Sequence, residues 1–193
     1  DFLAEIYDRI YQPRGPNHYI FDAIEKLTQP SKDRSVILDA GCGTGELLGY
    51  MQQKGYQYVY GLDQSQDMSA YCRNKWPGTA VKTGDLMLPI MFDKATFTHI
   101  FMTGDTIYHI ANKSTAIQNI YDWLMPNGYF ILHLYDPMKW NTIPLTARPL
   151  LVSSVQEFAN ERITNSSIDF LDFMYKSSFD FSKWSRTKFS SSK

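Results

Sequence analysis

The sequence predicts an α/β fold in which a doubly wound, mostly parallel sheet carries helices on both faces. Three observations predict this fold. A short apolar run, Val36–Leu38, ends in Asp39 and a glycine loop, and four further strand-like segments alternate with helical ones. In addition, an acidic residue follows each of the first three strands. Such alternation is typical of strands that pair in parallel through crossover helices.

The composition of the 193 residues, 44% hydrophobic and 20% charged, fits one globular domain with a sizeable core. The net charge of -1 gives no field that would gather nucleic acid or an anionic membrane, so neither is an expected partner. No run is long enough to span a membrane, and no leader is visible. Cys42 and Cys72 are too few for a disulfide framework, which favours an intracellular, cytoplasmic setting. The missing initiating Met suggests a trimmed chain.

Residues 1–29 are expected to form a helical cap of two pieces, separated by the segment Gln12–Pro16. Apolar residues recur at helical spacing in both pieces, namely Leu3, Ile6 and Ile10, then Ile20, Ile24 and Leu27. Helices that precede the first strand can pack on the sheet or cover the edge at which a ligand binds. Both arrangements stay open at this point.

The glycine loop predicts the kind of ligand. Gly41, Gly43 and Gly45 stand at alternate positions, where they allow a tight turn and a close approach of the backbone to a ligand. Amides of the helix that follows would face that ligand, which we expect to resemble a nucleotide. The dinucleotide fingerprint needs Gly or Ala where Glu46 stands, and a pyrophosphate would meet a carboxylate there. The phosphate loop of nucleoside triphosphatases has no match.

The segment Leu38–Gly45 resembles the first motif of the class I S-adenosylmethionine (SAM)-dependent methyltransferases. The segment Trp123–Phe130 resembles the helix, turn and fifth strand of the same family, with Asn127 at a position that is usually Gly. Asn tolerates the left-handed backbone that such a turn requires. The resemblance covers residues 30–137 and implies a Rossmann-like fold, SAM as the cofactor and methyl transfer as the activity.

Asp63 is the strongest single candidate for cofactor binding. It ends the second predicted strand, Tyr56–Leu62, where an acid can accept hydrogen bonds from both ribose hydroxyls. Ser65 is expected to cap the next helix, and Met68 to pack on the adenine ring. The alternative for Asp63 is a solvated loop acid.

The family resemblance implies further cofactor contacts. A tyrosine of the N-terminal segment, Tyr7 or Tyr11, would lie over the methionine part of SAM, unless these rings only pack within an amphipathic helix. Asp85 and Leu86, after the short third strand Thr79–Thr83, would bind adenine, although Asp85 could equally cap a turn. The predicted cofactor-binding set is Tyr11, Asp39, Ala40, Gly41, Cys42, Gly43, Gly45, Asp63, Gln64, Met68, Asp85, Leu86 and Thr103.

The end of the fourth predicted strand, Phe97–Met102, faces the reacting methyl group in a sheet of this order. Asp105, Tyr108 and His109 are therefore the predicted catalytic residues, with Asp105 orienting a nucleophile and His109 acting as a base. The alternatives are a helix-capping Asp105 and a His109 buried in the core. The histidines and cysteines show no metal-ligand spacing, so no metal is expected.

The sequence after the fourth strand predicts a helix over 111–124, a turn at Pro126–Gly128 and a strand over 129–135. Residues 168–181 suggest a hairpin, either as part of a lid or as the closing strands of the sheet. Its aromatic and acidic residues could favour a cationic amine or simply pack on the sheet. The predicted organisation is one domain over 1–193, with the core at 30–137 and the lid or closing strands at 138–193, where truncation of the closing strands stays an open alternative.

The predicted function is methyl transfer from SAM, by in-line displacement, to a nucleophile on a small molecule or a protein amine. The Asn/Asp-Pro-Pro-aromatic and Pro-Cys motifs of other methyltransferases are absent from the sequence, which disfavours nucleic-acid bases as acceptors. Two alternatives remain open. One is a non-catalytic SAM-binding or regulatory subunit, and the other is an NAD-dependent dehydrogenase, which the glycine spacing disfavours.

Overall fold

The structure is a computed structural model that describes residues 4, 7, 8, 16–134, 155–158 and 161–164. The chain divides into two compact units, residues 1–150 and 151–193, and each is described by itself. The organisation of 1–193 as a single domain stays a prediction. No helix among the described residues is both long enough and apolar enough to cross a membrane.

The first unit alternates strands and helices as the sequence predicts. Its helices are α1 (Pro16–Thr28), α2 (Glu46–Gln53), α3 (Gln66–Lys75), α4 (Thr106–His109) and α5 (Lys113–Trp123), with a 3₁₀ turn at Pro89–Met91. Its strands are β1 (Val36–Ala40), β2 (Tyr58–Asp63), β3 (Ala80–Thr83), β4 (Phe97–Met102) and β5 (Leu124–Leu132). Ala4, Tyr7 and Asp8 are also helical.

The five strands form one sheet in the order β3-β2-β1-β4-β5, and every pair is parallel. The predicted doubly wound α/β fold is confirmed. The chain first builds outwards from β1 to β3 and then returns to place β4 on the other side of β1. In such sheets the ligand binds at the carboxyl ends of the strands, where the order reverses. That point lies between β1 and β4.

The core is split between the two faces of the sheet. Ile37 and Leu38 are both fully buried, yet they belong to separate apolar clusters because successive side chains of a strand point to opposite faces. The cluster around Ile37 includes Phe21 and Leu48 from helices α1 and α2, and the cluster around Leu38 includes Trp123 from α5. Burial on both faces explains why β1 reads as a continuous apolar run.

Helix and strand boundaries agree with local chemistry. Ser65 caps α3, as predicted, because its hydroxyl oxygen accepts a hydrogen bond from the Met68 amide at 3.3 Å. The second strand starts at Tyr58 and not at the predicted Tyr56. The Tyr56 amide donates instead to the Met51 carbonyl at the end of α2, and its hydroxyl donates to Glu25.

The fifth strand differs from its prediction. It begins at Leu124, directly after α5, whereas the predicted strand begins at Tyr129. The pairing with β4 jumps from Phe97–Leu124 to His99–Tyr129, so the intervening predicted turn is an irregularity within the strand. Asn127 has φ 64°, as expected for an Asn in a position that favours Gly. The predicted strand end at Tyr135 lies outside the described residues.

The second unit contains a two-stranded antiparallel sheet. Strand β6 (Val155–Phe158) pairs with β7 (Glu161–Thr164), and Phe158 stands opposite Glu161 across the connection. The hairpin predicted over residues 168–181 lies outside the described residues.

His99 on β4 is buried beside Thr98 and Thr28, with its ring nitrogens 2.9 and 3.1 Å from their hydroxyl oxygens. Burial lowers its pKa from the ordinary value of 6.5. As pH falls below about 6.5, the unfolded chain therefore takes up a proton before the folded chain does, and stability declines. We expect His99→Gln to remove this contribution, which is at most about 1.4 kcal/mol per pH unit. Urea unfolding at about pH 7.5 and 5.5 measures it, and an equal decline in both proteins would contradict the prediction.

Candidate cofactor and catalytic site

The loop between β1 and α2 is built on three left-handed glycines. Gly41, Gly43 and Gly45 have φ of 83°, 52° and 80°, a region that other residues adopt only at a cost. A β-carbon on Gly41 would collide with the Thr106 side chain, and one on Gly45 with the Cys72 sulfur. A β-carbon on Gly43 would meet no atom within 4 Å. The first and third glycines therefore allow close packing, whereas Gly43 borders open space.

The amides of this loop have acceptors within the protein. The amides of Gly41 and Cys42 donate to the Leu62 carbonyl at 2.7 and 3.1 Å, and the Gly45 amide donates to the Cys42 carbonyl at 2.9 Å. The Gly43 amide donates to Asp63 Oδ2 at 2.7 Å. A loop that binds phosphate presents its amides to the ligand. These four amides therefore do not form such a cradle. The Asp63 carboxylate, which accepts from one of them, would also repel a phosphate.

Asp63, the last residue of β2, is held by two backbone amides. Its Oδ2 accepts from Gly43 and its Oδ1 accepts from Ser65 at 2.9 Å. A carboxylate has about four lone-pair positions, so two acceptor positions remain after these bonds. The carboxylate therefore has a fixed direction and spare capacity to bind a pair of hydroxyl groups.

Asp39 lies beside this carboxylate but deeper in the protein, with only 3% of its surface exposed. Burial, together with the nearby charge of Asp63, raises the pKa of Asp39 to about 7. Near neutral pH, Asp39 is therefore partly protonated.

The end of β4 brings an acid and a base together. His109 Nε2 lies 3.1 Å from Asp105 Oδ2 across one turn of α4, and both side chains are about one-third exposed. The hydrogen bond that His109 donates to Asp105 raises the pKa of His109 above 6.5, against the effect of burial. Burial would raise the pKa of Asp105, but the hydrogen bond and charge of His109 outweigh it and lower this pKa. The Asp105 side chain makes no capping bond to α4, and His109 is not a core residue.

Thr106 connects this end of β4 to the glycine loop. Its hydroxyl donates to the Gly41 carbonyl at 3.4 Å, and its side chain occupies the space that a β-carbon on Gly41 would need. The sequence analysis did not single out Thr106, because no sequence spacing signals a contact across 65 residues. It also did not place Cys72 at the site, where the Cys72 thiol lies beside that of Cys42. The acid–base pair and the glycine loop thus meet at one edge of the sheet.

The other predicted site residues have varied surroundings. Asp85 Oδ1 accepts from the Met87 amide at 2.8 Å, so this acid does cap a turn. Leu86 is buried, and its carbonyl accepts from Asn119 at 2.8 Å. Ala40, Cys42 and Thr103 are buried, Met68 and Tyr108 are half-buried, Gln64 is exposed and Tyr7 is 38% exposed. Tyr11 lies outside the described residues. In the part of the chain that is described, no three His, Cys, Asp or Glu side chains are arranged to hold a metal ion.

The fold and this edge of the sheet define a class: a Rossmann-like domain for a nucleoside-containing cofactor whose recognition does not depend on a phosphate cradle. A protein-family profile described as "Methyltransferase domain" matches residues 37–128. The chain therefore contains a class I SAM-dependent methyltransferase domain, and the family resemblance predicted from Leu38–Gly45, together with its cofactor, is confirmed.

The chain is also similar to individual proteins. The chain is 30% identical to protein MJ1252 of Methanocaldococcus jannaschii over 72% of this chain and 52% of that protein. It is 28% identical to phosphoethanolamine N-methyltransferase 1 of Zea mays over 67% of this chain and 26% of that protein. The chain thus spans about half or less of these relatives. The structure of SAM-bound CalS10, an amino pentose methyltransferase from Micromonospora echinaspora, shares the fold with a TM-score of 0.57. That match has 21% identity and covers 73% of this chain and 59% of CalS10.

The residues at the sheet edge fit SAM. This cofactor has a ribose diol and no phosphate, and Asp63 keeps two acceptor positions while the loop amides are already bonded. Gly43 leaves open space beside that carboxylate. SAM also carries positive charge, which suits a site that contains the Asp63 carboxylate.

Proposed function

We propose that this protein is a SAM-dependent methyltransferase that acts on an amine of a small molecule or of a protein. One observation carries the proposal. The Asp105–His109 pair and the glycine loop with its Asp63 carboxylate are joined through Thr106, so a cofactor site and an acid–base pair share one sheet edge. A subunit that only binds SAM has no need of the Asp105–His109 acid–base pair.

The chain's own residues have two tasks in this reaction. Bound SAM supplies a methyl group that is electrophilic because it is attached to a sulfonium. Asp63 holds the nucleoside part, and the glycine loop allows the backbone to approach it. The end of β4 positions the acceptor and removes its proton, since a protonated amine has no lone pair with which to attack.

His109 is suited to take that proton. When its Nε2 donates to Asp105, the basic lone pair of the neutral ring is on Nδ1, and the carboxylate stabilises the imidazolium that forms. The raised pKa makes His109 a stronger base than a free histidine. Asp105 also adds negative charge, which favours an acceptor that arrives as a cation.

An amine acceptor has further support from relatives. The Zea mays protein is named for methylation of the nitrogen of phosphoethanolamine, and CalS10 is described as an amino pentose methyltransferase. The substrate named for each of these two proteins contains an amino group. The acceptor of this chain is therefore proposed as an amine, and an intracellular setting for it stays a prediction.

Calorimetric titration with S-adenosylhomocysteine (SAH), SAM and NAD tests the cofactor part of the proposal. We expect SAH and SAM to bind and NAD not to bind. Asp63→Ala removes both the ribose acceptor and the bond to the Gly43 amide, and should weaken SAH binding about tenfold or more. Asp93→Ala, at an exposed acid before β4, is the matched control and should bind SAH normally. Binding of NAD alone would indicate a dehydrogenase.

A methyl-transfer assay tests the acceptor part. Phosphoethanolamine and a small set of primary amines are incubated with SAM, and methylated product and SAH are measured together. We expect equal amounts of methylated amine and SAH. Tight SAH binding without transfer to any amine or amine-containing protein would instead support the non-catalytic SAM-binding subunit.

A further inference from the structure

Asn119 is a polar residue on the buried face of helix α5. It is only 5% exposed, and Ala116 and Trp123, one turn before and one turn after it, belong to one of the two apolar clusters of the sheet. A buried side-chain amide is costly unless it has a hydrogen-bond partner. Asn119 Nδ2 donates to the backbone carbonyl of Leu86 at 2.8 Å, across 33 residues of sequence. This bond ties α5 to the segment that follows β3.

That segment, Gly84–Leu88, is called the β3 loop, and it begins beside the candidate ribose acid. The Gly84 amide donates to the backbone carbonyl of Asp63 at 2.8 Å, directly after Thr83 pairs with Asp63 in the sheet. In a nucleoside, the base is attached to the ribose carbon next to the diol. A ribose bound by the Asp63 carboxylate therefore has its base close to the residues that adjoin Asp63, and the β3 loop is one of these neighbours.

The β3 loop is a turn that closes on Asp85. The Asp85 carbonyl accepts from the Leu88 amide at 3.0 Å, and Asp85 Oδ1 accepts from the Met87 amide at 2.8 Å. Among the described residues, no atom accepts a hydrogen bond from the amides of Asp85 and Leu86. Because backbone donors are ordinarily paired, these two consecutive amides are available to the ring nitrogens of a bound base.

Building on the proposed function, we infer that Asn119 is a positioning residue for the nucleoside part of SAM. It acts through Leu86, whose carbonyl it holds from the core side, so that the backbone of the β3 loop keeps one orientation next to Asp63. A loop is positioned more precisely when it is anchored to a rigid element, and α5 is that element here. Loss of the Asn119 donor should weaken cofactor binding and raise KM for SAM. The Asp105–His109 pair is untouched, so kcat should stay unchanged.

Calorimetric titration of SAH into Asn119→Leu tests this inference. Leucine fills a similar volume but cannot donate, so the Leu86 carbonyl loses its partner. We expect SAH to bind about tenfold more weakly, and KM for SAM to rise by about the same factor with kcat within about twofold of the wild type. Asn119→Ala removes the same donor without a branched apolar side chain and should weaken SAH binding to a similar extent.

Hydrogen exchange of the ligand-free protein measures the orientation of the loop directly. The amides of Gly84, Met87 and Leu88 are protected by their bonds to Asp63 and Asp85. In both Asn119 variants these three amides should exchange about tenfold faster, because the loop opens more often without its anchor on α5.

Asn112 provides the matched control on the same helix. Its side chain caps α5, where the Oδ1 atom accepts from the Thr115 amide at 3.1 Å, and it is exposed. Asn112→Ala should therefore destabilise α5 and lower the unfolding temperature while the bond from Asn119 to Leu86 is kept. SAH should bind to this variant within about twofold of the wild type.

The outcomes separate this inference from the proposed function. If the wild type binds SAH and the Asn119 variants bind it equally well, the positioning role is overturned and the proposed function stands. An equal loss of affinity in Asn112→Ala would also overturn it, since the loss would then follow from the stability of α5 alone. If the wild type itself binds no SAH, the proposed function fails. Thermal unfolding shows whether each variant is folded, and should Asn119→Leu be unfolded, Asn119→Ala decides in its place.

Discussion

Replacing Gly43 with alanine is expected to weaken SAH binding about a hundredfold while the protein remains folded. A β-carbon on Gly43 meets no protein atom within 4 Å, so the substitution causes no internal collision. It does place a methyl group in the open space beside the Asp63 carboxylate, where the proposed cofactor approaches the backbone. The left-handed φ of 52° adds a folding cost of about 1–2 kcal/mol. Calorimetric titration and urea unfolding measure the two effects separately.

Gly78 provides the matched control for this substitution. It also has a left-handed φ, 94°, and open space at its β-carbon, but it lies in the turn before β3. Gly78→Ala should therefore cost about the same 1–2 kcal/mol in stability and leave SAH affinity unchanged. Equal SAH affinity in both alanine variants would show that Gly43 does not border the cofactor. That result would overturn the assignment of the glycine loop.

Replacing His109 with glutamine is expected to lower kcat/KM for the amine acceptor about 10²- to 10³-fold without changing SAH affinity. Glutamine can still donate to Asp105 but cannot take a proton. In the wild type, activity should fall as pH decreases through the pKa of His109, which lies above 6.5 because of Asp105. This acidic limb of the pH profile should disappear in the variant. An unchanged rate and profile would exclude His109 as the base.

Asp105→Asn tests whether the acid acts through the histidine. Loss of the carboxylate removes the main cause of the raised pKa of His109, so the acidic limb should move to lower pH. The rate should also fall, because the imidazolium that forms is no longer stabilised. Asp93→Asn, at an exposed acid before the other end of β4, is the control and should keep the wild-type profile. A profile that does not move would contradict the proposed pairing.

The sequence predicts the fold well because the strongest signals of an α/β sheet are local. β4 has the bounds that apolar periodicity predicts, and Ser65 caps α3 as predicted, since each depends on residues within one turn or one strand. The fifth strand is the clearest error. The sequence from Pro126 to Gly128 has the chemistry of a turn, but pairing with β4 continues around it as a bulge. Long-range pairing overrides a local turn signal there.

The candidate site likewise has residues that the sequence predicts and contacts that it does not predict. The glycine spacing, Asp63, Asp105 and His109 could be named from the sequence because they follow predicted strands, and parallel strands end at one edge. The contacts that surround these residues could not be predicted from the sequence. The Thr106–Gly41 contact and the Cys42–Cys72 contact join residues far apart in the chain. No periodicity encodes such pairs.

The sequence by itself determined the order of strands and helices, the glycine loop and the family to which the core belongs. These follow from hydrophobic period, backbone freedom and motif spacing, all of which are local properties. Only the tertiary structure decided that the loop amides bond internally and that burial raises the pKa of Asp39 to about 7. It alone also pairs His109 with Asp105. Hydrogen-bond partners and burial depend on which helices and strands contact one another, and those contacts form only when the elements pack into the folded domain.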